Sequence, residues 1–485
     1  MKKRTLAFFL ALALLLAQLP LLSAAAEDAV DLVWLTNYDR GAKPLKEGGD
    51  RIIDALNERL NINLISKGVA AEHINGWSKI NMMIASGEIP DVLTCGYPSA
   101  TTSRWIEEGI LIPLNDYLDK MPTVKALLES RYQWTAIDGK YYGYPFIEQV
   151  TNTHFYYRQD ILDQLGLTYT GTLDNFYEIC KTVKEKMDGI YPISTQNFKW
   201  VYAAYGLEYS DYALDAAGNP IPVFETAAYK QGLEFLRKMW DEELIDPEFM
   251  LQDTKKREEM FATGKTVFMI GSLFRYLNQM ETSLHAVNPD GVLTFADPPA
   301  GPDGKKALGT VPKSGILTGI TADCKNPEKA AELIEFMVSS EGKDLFRLGI
   351  EGVHYTRNGD TVIYNEAERE ADNFTKNGWG HPLAFGAFFW PLTDMYLPQT
   401  EPNYERAVQS VVVANQNVLP NLVPFTLDAE LEYSGVLDEL VNQYFIDILM
   451  GKIGIDEGLA QLSEKWRAQG GNKVLAAVGE AIGAN

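Results

Sequence analysis

The sequence predicts an α/β protein of two lobes, each a mostly parallel sheet flanked by helices, with extra helices at the carboxyl end. Three observations indicate this class. The 485 residues exceed what one hydrophobic core usually organises. Short apolar runs suited to buried parallel strands alternate with segments whose apolar residues recur at helical spacing. Stretches rich in proline and glycine interrupt this alternation where a chain could pass between lobes.

The first 26 residues predict a cleaved signal peptide. Basic residues occupy positions 2–4, an apolar run spans 6–22, and small residues at 23–26 supply a cleavage site. A retained membrane anchor is the alternative, but Pro20 and the small residues argue against it. Because no cysteine follows the apolar run, we expect no lipid anchor. The mature chain, from Glu27, is expected in the periplasm or secreted.

Charge and cysteine content narrow the classes of partner. Without the basic residues at positions 2–4 the net charge is −26, which disfavours nucleic acid and anionic lipid as partners. No later run has the length of about 20 apolar residues that a membrane span requires. Cys95, Cys180 and Cys324 permit at most one disulfide, and we expect all three to be small buried side chains. The protein is predicted to be a monomer.

The first lobe begins with a buried strand at 29–36, followed by a polar loop at 37–40. A helix over 51–60 has its apolar residues on one face, and a second strand covers 62–66. The run 80–97 then predicts a helix ending at Ser86-Gly87, a break at Pro90 and a strand over 91–94. Ligands of open α/β sheets bind at the carboxyl ends of strands, so the loops after these strands are candidate sites.

Later segments continue the alternation. An Asp-Gly hairpin is predicted at 138–145, and the proline- and glycine-rich stretch 298–304 is predicted to cross between lobes. Strands are predicted at 153–158, 267–270 and 315–321, and helices at 160–167, 173–187, 226–243, 326–340, 430–450 and 455–469.

Several segments resemble one known family. They are ASGEIPDVL at 85–93, DGKYYGYP at 138–145, YRQDILDQLGL from Tyr157 with TLDNFYEICKTVKEK from Thr172, and NPEKAAELIEFMVSSEG from Asn326. These segments resemble, in the same order, family 1 of the extracellular solute-binding proteins that serve carbohydrate ABC importers. The resemblance implies the type II periplasmic-binding fold. It places residues 27–148 and 305–360 in the first lobe, and 149–304 and 361–485 in the second.

The resemblance also implies a function. Such a protein captures an oligosaccharide or a modified sugar in the cleft between its lobes and presents it to ABC permease subunits. Closure requires ligand contacts from both lobes, because a ligand held equally by open and closed states shifts no equilibrium. No cofactor is implied.

Catalytic and metal-binding motifs are not found. The five histidines form no H-E-x-x-H motif, and neither a G-x-S-x-G turn nor a phosphate-binding glycine loop occurs. Many relatives carry a calcium loop after the helix that corresponds to 173–187, but 186–192 here lacks the oxygen ligands. We therefore expect no metal and no enzymatic activity.

Loop aromatics are the candidate ligand contacts, since sugar sites combine stacked rings with polar partners. Packing in a core is the alternative for each ring. Asp39 and Arg275 could instead form a salt bridge between the lobes. The predicted ligand-binding residues are Asn37, Tyr38, Asp39, Tyr97, Trp200, Tyr205, Phe274, Arg275, Trp379 and Trp390.

Two other functions remain open from the sequence. A secreted enzyme that degrades polysaccharide would also be acidic and rich in aromatic residues. A sugar sensor that signals to a membrane receptor kinase would share the same architecture. Turnover of a glycan would favour the enzyme, and a neighbouring kinase gene would favour the sensor.

Overall fold

A computed structural model of the chain describes residues 29–36, 51–68, 73–146, 151, 153–272, 280–359, 361–374, 380–381, 383 and 404–484. The strands are β1 (Val30–Thr36), β2 (Ile62–Gly68), β3 (Val92–Tyr97), β4 (Tyr144–Phe146), β5 (Thr153–Arg158), β6 (Tyr212–Leu214), β7 (Pro220–Pro222), β8 (Phe268–Ser272), β9 (Leu293–Ala296), β10 (Gly309–Thr310), β11 (Gly315–Ile320), β12 (Tyr355–Asn358), β13 (Thr361–Tyr364) and β14 (Val418–Leu419).

The helices of the first half are α1 (Arg51–Leu60), α2 (His73–Ala85), α3 (Ala100–Glu107), α4 (Pro122–Arg131), α5 (Gln159–Leu165), α6 (Leu173–Lys186), α7 (Lys199–Ala204) and α8 (Ala227–Asp241). Those of the second half are α9 (Thr254–Ala262), α10 (Glu281–Val287), α11 (Pro327–Val338), α12 (Ser340–Arg347), α13 (Glu366–Ala371), α14 (Tyr404–Gln416), α15 (Asp428–Leu449), α16 (Ile455–Trp466) and α17 (Asn472–Ile482).

The first sheet has the order β2-β1-β3-β11-β4. β1 pairs in parallel with β2 and β3, whereas β11 is antiparallel to both β3 and β4. β4 therefore runs in the same direction as β1, β2 and β3. Leu32, Trp34 and Leu35 of β1 are all buried, as a strand covered on both faces requires. Helices α1, α4 and α11 complete this first core.

The second sheet repeats this arrangement. Its strands have the order β8-β5-β9, and β5 is antiparallel to both neighbours. Beyond β8, single parallel bridges join Phe268 to Ile193 and Ile193 to Ile245. In each sheet the one opposed strand is the strand whose chain has just arrived from the other lobe. The predicted class, two mostly parallel sheets flanked by helices, is confirmed on this pattern of strand directions.

The carboxyl-terminal helices pack on the second core. Leu437, Tyr444 and Ile448 of α15 join the same apolar cluster as Phe155 of β5 and Phe176 of α6. Sequence patterning predicted α15 and α16 but missed α17. The chain bends at Arg467–Gly471, where Gly470 has a φ of 119°, and then resumes as a helix. None of the helices among the described residues has the length and apolar character needed to cross a membrane.

The described residues up to Phe146 belong to the first lobe, and those that follow from Thr153 belong to the second. The chain returns to the first lobe at 311–314, and α14 packs on β5 and β9 of the second lobe. The stretch 298–304, predicted as a crossing, is a turn inside the second lobe, where the Gly301 amide donates to the Lys305 carbonyl. Leu308 accordingly packs in the second core. Phe374 and Leu383, predicted in the second lobe, pack in the first core, and Arg51 of α1 pairs with Asp372 at 2.5 Å. The predicted boundary at 305 followed a local turn signal and that at 360 was implied by the resemblance, whereas these contacts connect residues distant in the chain.

Several local predictions are confirmed. The Asp-Gly turn has positive φ at both residues, 49° at Asp138 and 74° at Gly139, as its hairpin type requires. Cys95 and Cys180 are buried free thiols, as predicted, whereas Cys324, predicted to be buried as well, is half-buried and free.

Two glycines in helices provide a matched test of the second core. At Gly232 of α8 an added Cβ would lie 2.4 Å from Cδ1 of Tyr202, whose ring stacks on Tyr229 at 4.1 Å. We expect Gly232→Ala to destabilise the protein by about 1–3 kcal/mol through overpacking. At Gly435 of α15 an added Cβ would meet no atom within 4 Å apart from the adjacent residues and the backbone of its own helix, so Gly435→Ala should stabilise the protein by about 0.5–1 kcal/mol. Urea unfolding of both variants measures the change in unfolding free energy. Changes of the same sign and size would contradict the packing argument.

Candidate functional site

The carboxyl edge of the first sheet carries polar groups. β1 ends at Thr36, whose hydroxyl is buried and has no hydrogen-bond partner among the described residues. β3 ends at Tyr97, where burial, with smaller contributions from Cys95 and Asp428, raises the pKa to about 12. Tyr97 is therefore a neutral phenol at physiological pH. This edge lies where the loop prediction placed a ligand site.

A pocket of about 300 Å³ lies at the carboxyl edge of the second sheet, and we call it the sheet-edge pocket. Three parts of the sheet contribute to it: the start of β5, the end of β8 and the loop that follows Ile193. Helix α9 closes one side. The lining residues are Thr153, Thr195, Gln196, Asn197, Thr254, Arg257, Glu258, Met269, Ile270 and Gly271.

The loop after Ile193 supplies both a donor and an acceptor. The Gln196 Nε2 amide donates to the carbonyls of Met250 and Gln252 at 3.0 and 3.2 Å, leaving its Oε1 as an acceptor. The Asn197 Oδ1 accepts from the Lys199 backbone amide at 3.1 Å, leaving its Nδ2 as a donor. A ligand that carries hydroxyl groups needs both kinds of partner.

Among the described residues that line the pocket, one is an arginine, and it is held by residues at and just before the start of α9. Arg257 Nη1 donates to the Gln252 carbonyl at 2.5 Å, and Nη2 donates to the Thr254 hydroxyl at 3.3 Å. Burial lowers the pKa of the guanidinium, while the nearby charges of Asp253 and Glu258 raise it.

A second polar cluster lies at the crossing 311–314, and we call it the hinge ion cluster. Lys313 Nζ lies 2.9 Å from Asp211 and 2.9 Å from Glu430, and the Tyr212 hydroxyl donates to Glu430 at 2.9 Å. The cluster borders a cavity of about 470 Å³ between α7, α8 and α15. Lys199 projects into this cavity, where desolvation by the surrounding protein lowers its pKa. The cluster therefore joins the crossing segment to the second lobe.

The two lobes also meet directly near this crossing. Trp134, beside the first core, stacks on Phe425 of the second lobe with ring centroids 5.7 Å apart. Helix α3 of the first lobe contacts α15. The two lobes are therefore in contact near the crossing 311–314.

The structure does not bring the described predicted contacts onto one surface. Tyr97 is at the edge of the first sheet, as the loop rule predicted. Trp200 is 1% exposed, and its ring lies in the second core, 5.2 Å from Phe176. Tyr205 is half-buried at the far end of α7, 6.3 Å from Phe235. Trp200 therefore packs in a core, which was the alternative to a ligand contact. The ligand roles of all three residues stay predictions.

The other seven predicted contacts lie outside the described residues, and their ligand roles stay predictions. They are Asn37, Tyr38, Asp39, Phe274, Arg275, Trp379 and Trp390.

Sequence reasoning missed the polar lining of the sheet-edge pocket. The run 194–197, Ser-Thr-Gln-Asn, directly follows the buried Ile193, so the rule that selected residues 37–39 would have selected it too. Arg257 carries no such signal, because it reaches the pocket from α9 rather than from a strand end.

Within the described residues, no group of three or more histidine, cysteine, aspartate or glutamate side chains could hold a metal ion. The segment predicted to lack a calcium site, 186–192, follows α6 and turns at Gly189 with a φ of 72°.

Comparison with known proteins gives a family match. The model of the family described as "Bacterial extracellular solute-binding protein" matches residues 54–344. One relative is the polygalacturonan/rhamnogalacturonan-binding protein YtcQ of Bacillus subtilis (strain 168). It is 21% identical over 478 residues, covering 95% of this chain and 92% of the relative.

Solved structures share the fold over most of their length. The alginate-binding protein AlgQ2 superposes with a TM-score of 0.71 at 19% identity, covering 94% of this chain and 98% of AlgQ2. The ABC-transporter substrate-binding protein FusA of S. pneumoniae, in complex with kestose, superposes with a TM-score of 0.69 at 18% identity, covering 93% of this chain and 99% of FusA. At these identities the likeness concerns the fold.

Proposed function

The chain belongs to the bacterial extracellular solute-binding protein family, and from this membership we propose that it captures an oligosaccharide or a modified sugar between its lobes. The bound sugar is then delivered to the permease subunits of an ABC importer. YtcQ is named for binding polygalacturonan and rhamnogalacturonan, AlgQ2 for binding alginate, and FusA was solved with kestose. These names support a carbohydrate as the ligand class.

The observation that carries the proposal is the sheet-edge pocket. Its lining is rich in hydroxyl and amide side chains, and it lies at the strand ends where open α/β sheets bind ligands. The amides of Gln196 and Asn197 provide an acceptor and a donor for sugar hydroxyls. Its volume of about 300 Å³ suits one or two sugar units, so a longer ligand would extend toward the first lobe.

Closure of the lobes is the mechanism. The ligand binds the pocket of the second lobe first, and the edge of the first sheet, near Thr36 and Tyr97, closes on it. Backbone dihedral angles in the crossing segments change to permit the rotation of the lobes, as in hinge closure of other two-lobe binding proteins. The closed state gains population only through the contacts that the first lobe adds, since a ligand equally bound in both states shifts nothing.

The bound sugar leaves chemically unchanged. The relatives carry names of binding proteins rather than enzymes. A secreted glycan-degrading enzyme or a sugar sensor for a receptor kinase is the competing assignment. Export removes residues 1–26, so the working protein begins near Glu27.

One experiment tests the proposal. The protein is collected outside the cytoplasmic membrane of cells that express residues 1–485, and its intact mass tests the loss of 1–26. Isothermal titration calorimetry with neutral and acidic oligosaccharides is expected to give one-to-one binding. Chromatography of the ligand recovered afterwards is expected to show no new product. In Asn197→Ala the affinity should fall about 5- to 30-fold, the loss of one or two hydrogen bonds.

Asn415→Ala is the matched control. Its side-chain amide donates within α14 to the Val411 carbonyl at 3.0 Å, and the residue lies outside the pocket lining. We expect its affinity to match that of the unmodified protein. Shortened oligosaccharides in the recovered ligand would favour the enzyme. Absence of binding to every oligosaccharide would contradict the carbohydrate assignment.

A further inference from the structure

Arg257 is a half-buried cation without an anionic partner. In the part of the chain that the structure describes, no carboxylate oxygen lies within the 4.0 Å that defines an ion pair from its guanidinium. Its hydrogen bonds go to a backbone carbonyl and a neutral hydroxyl. The adjacent Glu258 lines the same pocket, and its charge and that of Asp253 raise the pKa of Arg257 from beyond ion-pair distance.

Enclosed arginines elsewhere in the described chain are covered by rings or paired with a carboxylate. Arg369, 2% exposed, donates to the Arg347 and Leu348 carbonyls and lies over the rings of Tyr364 and Phe374. Two others are paired. Arg158, 3% exposed, lies 2.7 Å from Asp160, and Arg467 lies 2.8 Å from Glu225. Removing a cation from water costs free energy that a carboxylate partner offsets. Arg257 is desolvated enough for burial to be the largest influence on its pKa. A ligand could therefore supply the carboxylate partner that Arg257 lacks.

The donors that remain suit a planar anion. A guanidinium has five N–H donors, and two of them are used by Gln252 and Thr254. Those two contacts also fix the side chain, so little further ordering is needed on binding. A carboxylate accepts two parallel N–H donors, a geometry that arginine matches better than lysine does.

We propose that the sheet-edge pocket binds an acidic sugar, a uronic acid unit of an oligosaccharide, with its carboxylate paired to Arg257 and its hydroxyls on Gln196 and Asn197. This inference rests on the proposed function and specifies its ligand. The net charge of −23 does not oppose it, because charges farther away than about 8 Å are largely screened at physiological salt. Glu258 also lines the pocket, so the preference for an acidic ligand depends on direct contact between the ligand carboxylate and the Arg257 guanidinium.

Calorimetry with four sugar trimers tests the proposal: galacturonate, its methyl ester, and the neutral trimers of galactose and glucose. The galacturonate trimer should bind at least 10-fold more tightly than its methyl ester, which keeps the shape but removes the charge. In Arg257→Gln that preference should disappear through a 10- to 100-fold loss of galacturonate affinity, while neutral trimers change less than about threefold. Raising the salt concentration should weaken galacturonate binding alone.

Lys256→Gln is the control, because Lys256 is exposed, pairs with Glu259 at 3.2 Å and lies outside the pocket lining. It should keep the full preference for the acidic trimer. The methyl ester, measured on the unmodified protein, keeps the test valid if Arg257→Gln fails to fold. Equal affinity for acid and ester, or tight binding of neutral trimers only, overturns this inference and leaves the proposed function standing. Failure of all four trimers, and of the wider oligosaccharide panel, overturns both.

Discussion

Lys313→Met is expected to lower the free energy of unfolding by about 2–4 kcal/mol at pH 7. The Lys313 ammonium is the cation between Asp211 and Glu430, and all three side chains are largely shielded, with 15%, 17% and 14% exposure. Without it two carboxylates are left close together with little solvent. Removal of one partner from a buried ion pair typically costs about 3–5 kcal/mol, and the residual exposure reduces that figure here.

Urea unfolding of the variant and of two controls measures this effect. Lys452→Met removes an exposed pair, Lys452 with Asp447 at 2.9 Å, and should cost at most about 1 kcal/mol. The double variant Lys313→Met/Glu430→Gln should recover part of the loss, because only one uncompensated carboxylate remains. Equal effects of the two lysine variants would show that the hinge ion cluster is no more stabilising than a surface pair.

His154 should make the protein less stable as the pH falls from about 6.5 to 4. The imidazole is fully buried beside Tyr156 and Phe295, with ring centroids 5.2 and 5.1 Å away. Burial lowers its pKa to about 4, against smaller opposing influences from Ser410 and Asp297. In this window the unfolded chain binds a proton that the folded chain does not. Stability is therefore lost as the pH falls, by about 3 kcal/mol in total.

The variant His154→Gln isolates this contribution. Glutamine cannot titrate, so the difference in unfolding free energy between the variant and the unmodified protein should change by about 3 kcal/mol between pH 7 and pH 4. His354, whose pKa is also lowered by burial, acts in the same direction in both proteins and cancels in the difference. A pH-independent difference for His154→Gln would contradict the assignment.

Local pattern predicted most elements but not their long-range partners. The predicted and observed bounds of the helix Arg51–Leu60 are the same. The four apolar residues that predicted it also form its buried face: Ile52, Ile53, Leu56 and Leu60. The crossing at 311–314 was placed too early, since a turn rich in proline and glycine is locally indistinguishable from a linker. α17 was missed because Gly470 and Gly471 carry the same signal as a helix stop.

Prediction of the site had a different weakness. The sequence predicts where a strand ends and a loop begins, and Tyr97 lies at the end of β3 as predicted. The sequence does not predict the direction in which a side chain points. α7 turns Trp200, Val201, Ala203 and Ala204 inward and leaves Lys199 at the cavity, a choice that depends on the packing of α8 and α15. Arg257 enters the pocket from a helix about 60 residues later in the chain, a neighbourhood that only the fold creates.

The opposed strand in each sheet has a consequence for the order of assembly during synthesis. β11 fills the gap between β3 and β4, yet more than two hundred residues separate it from β3. The sheet of the lobe that leaves the ribosome first is thus completed only after the strands β5, β8 and β9 of the second sheet have been synthesised. A gene cut between the lobes would leave the first sheet with its middle missing. Closing so distant a contact is slow and leaves strand edges unpaired meanwhile.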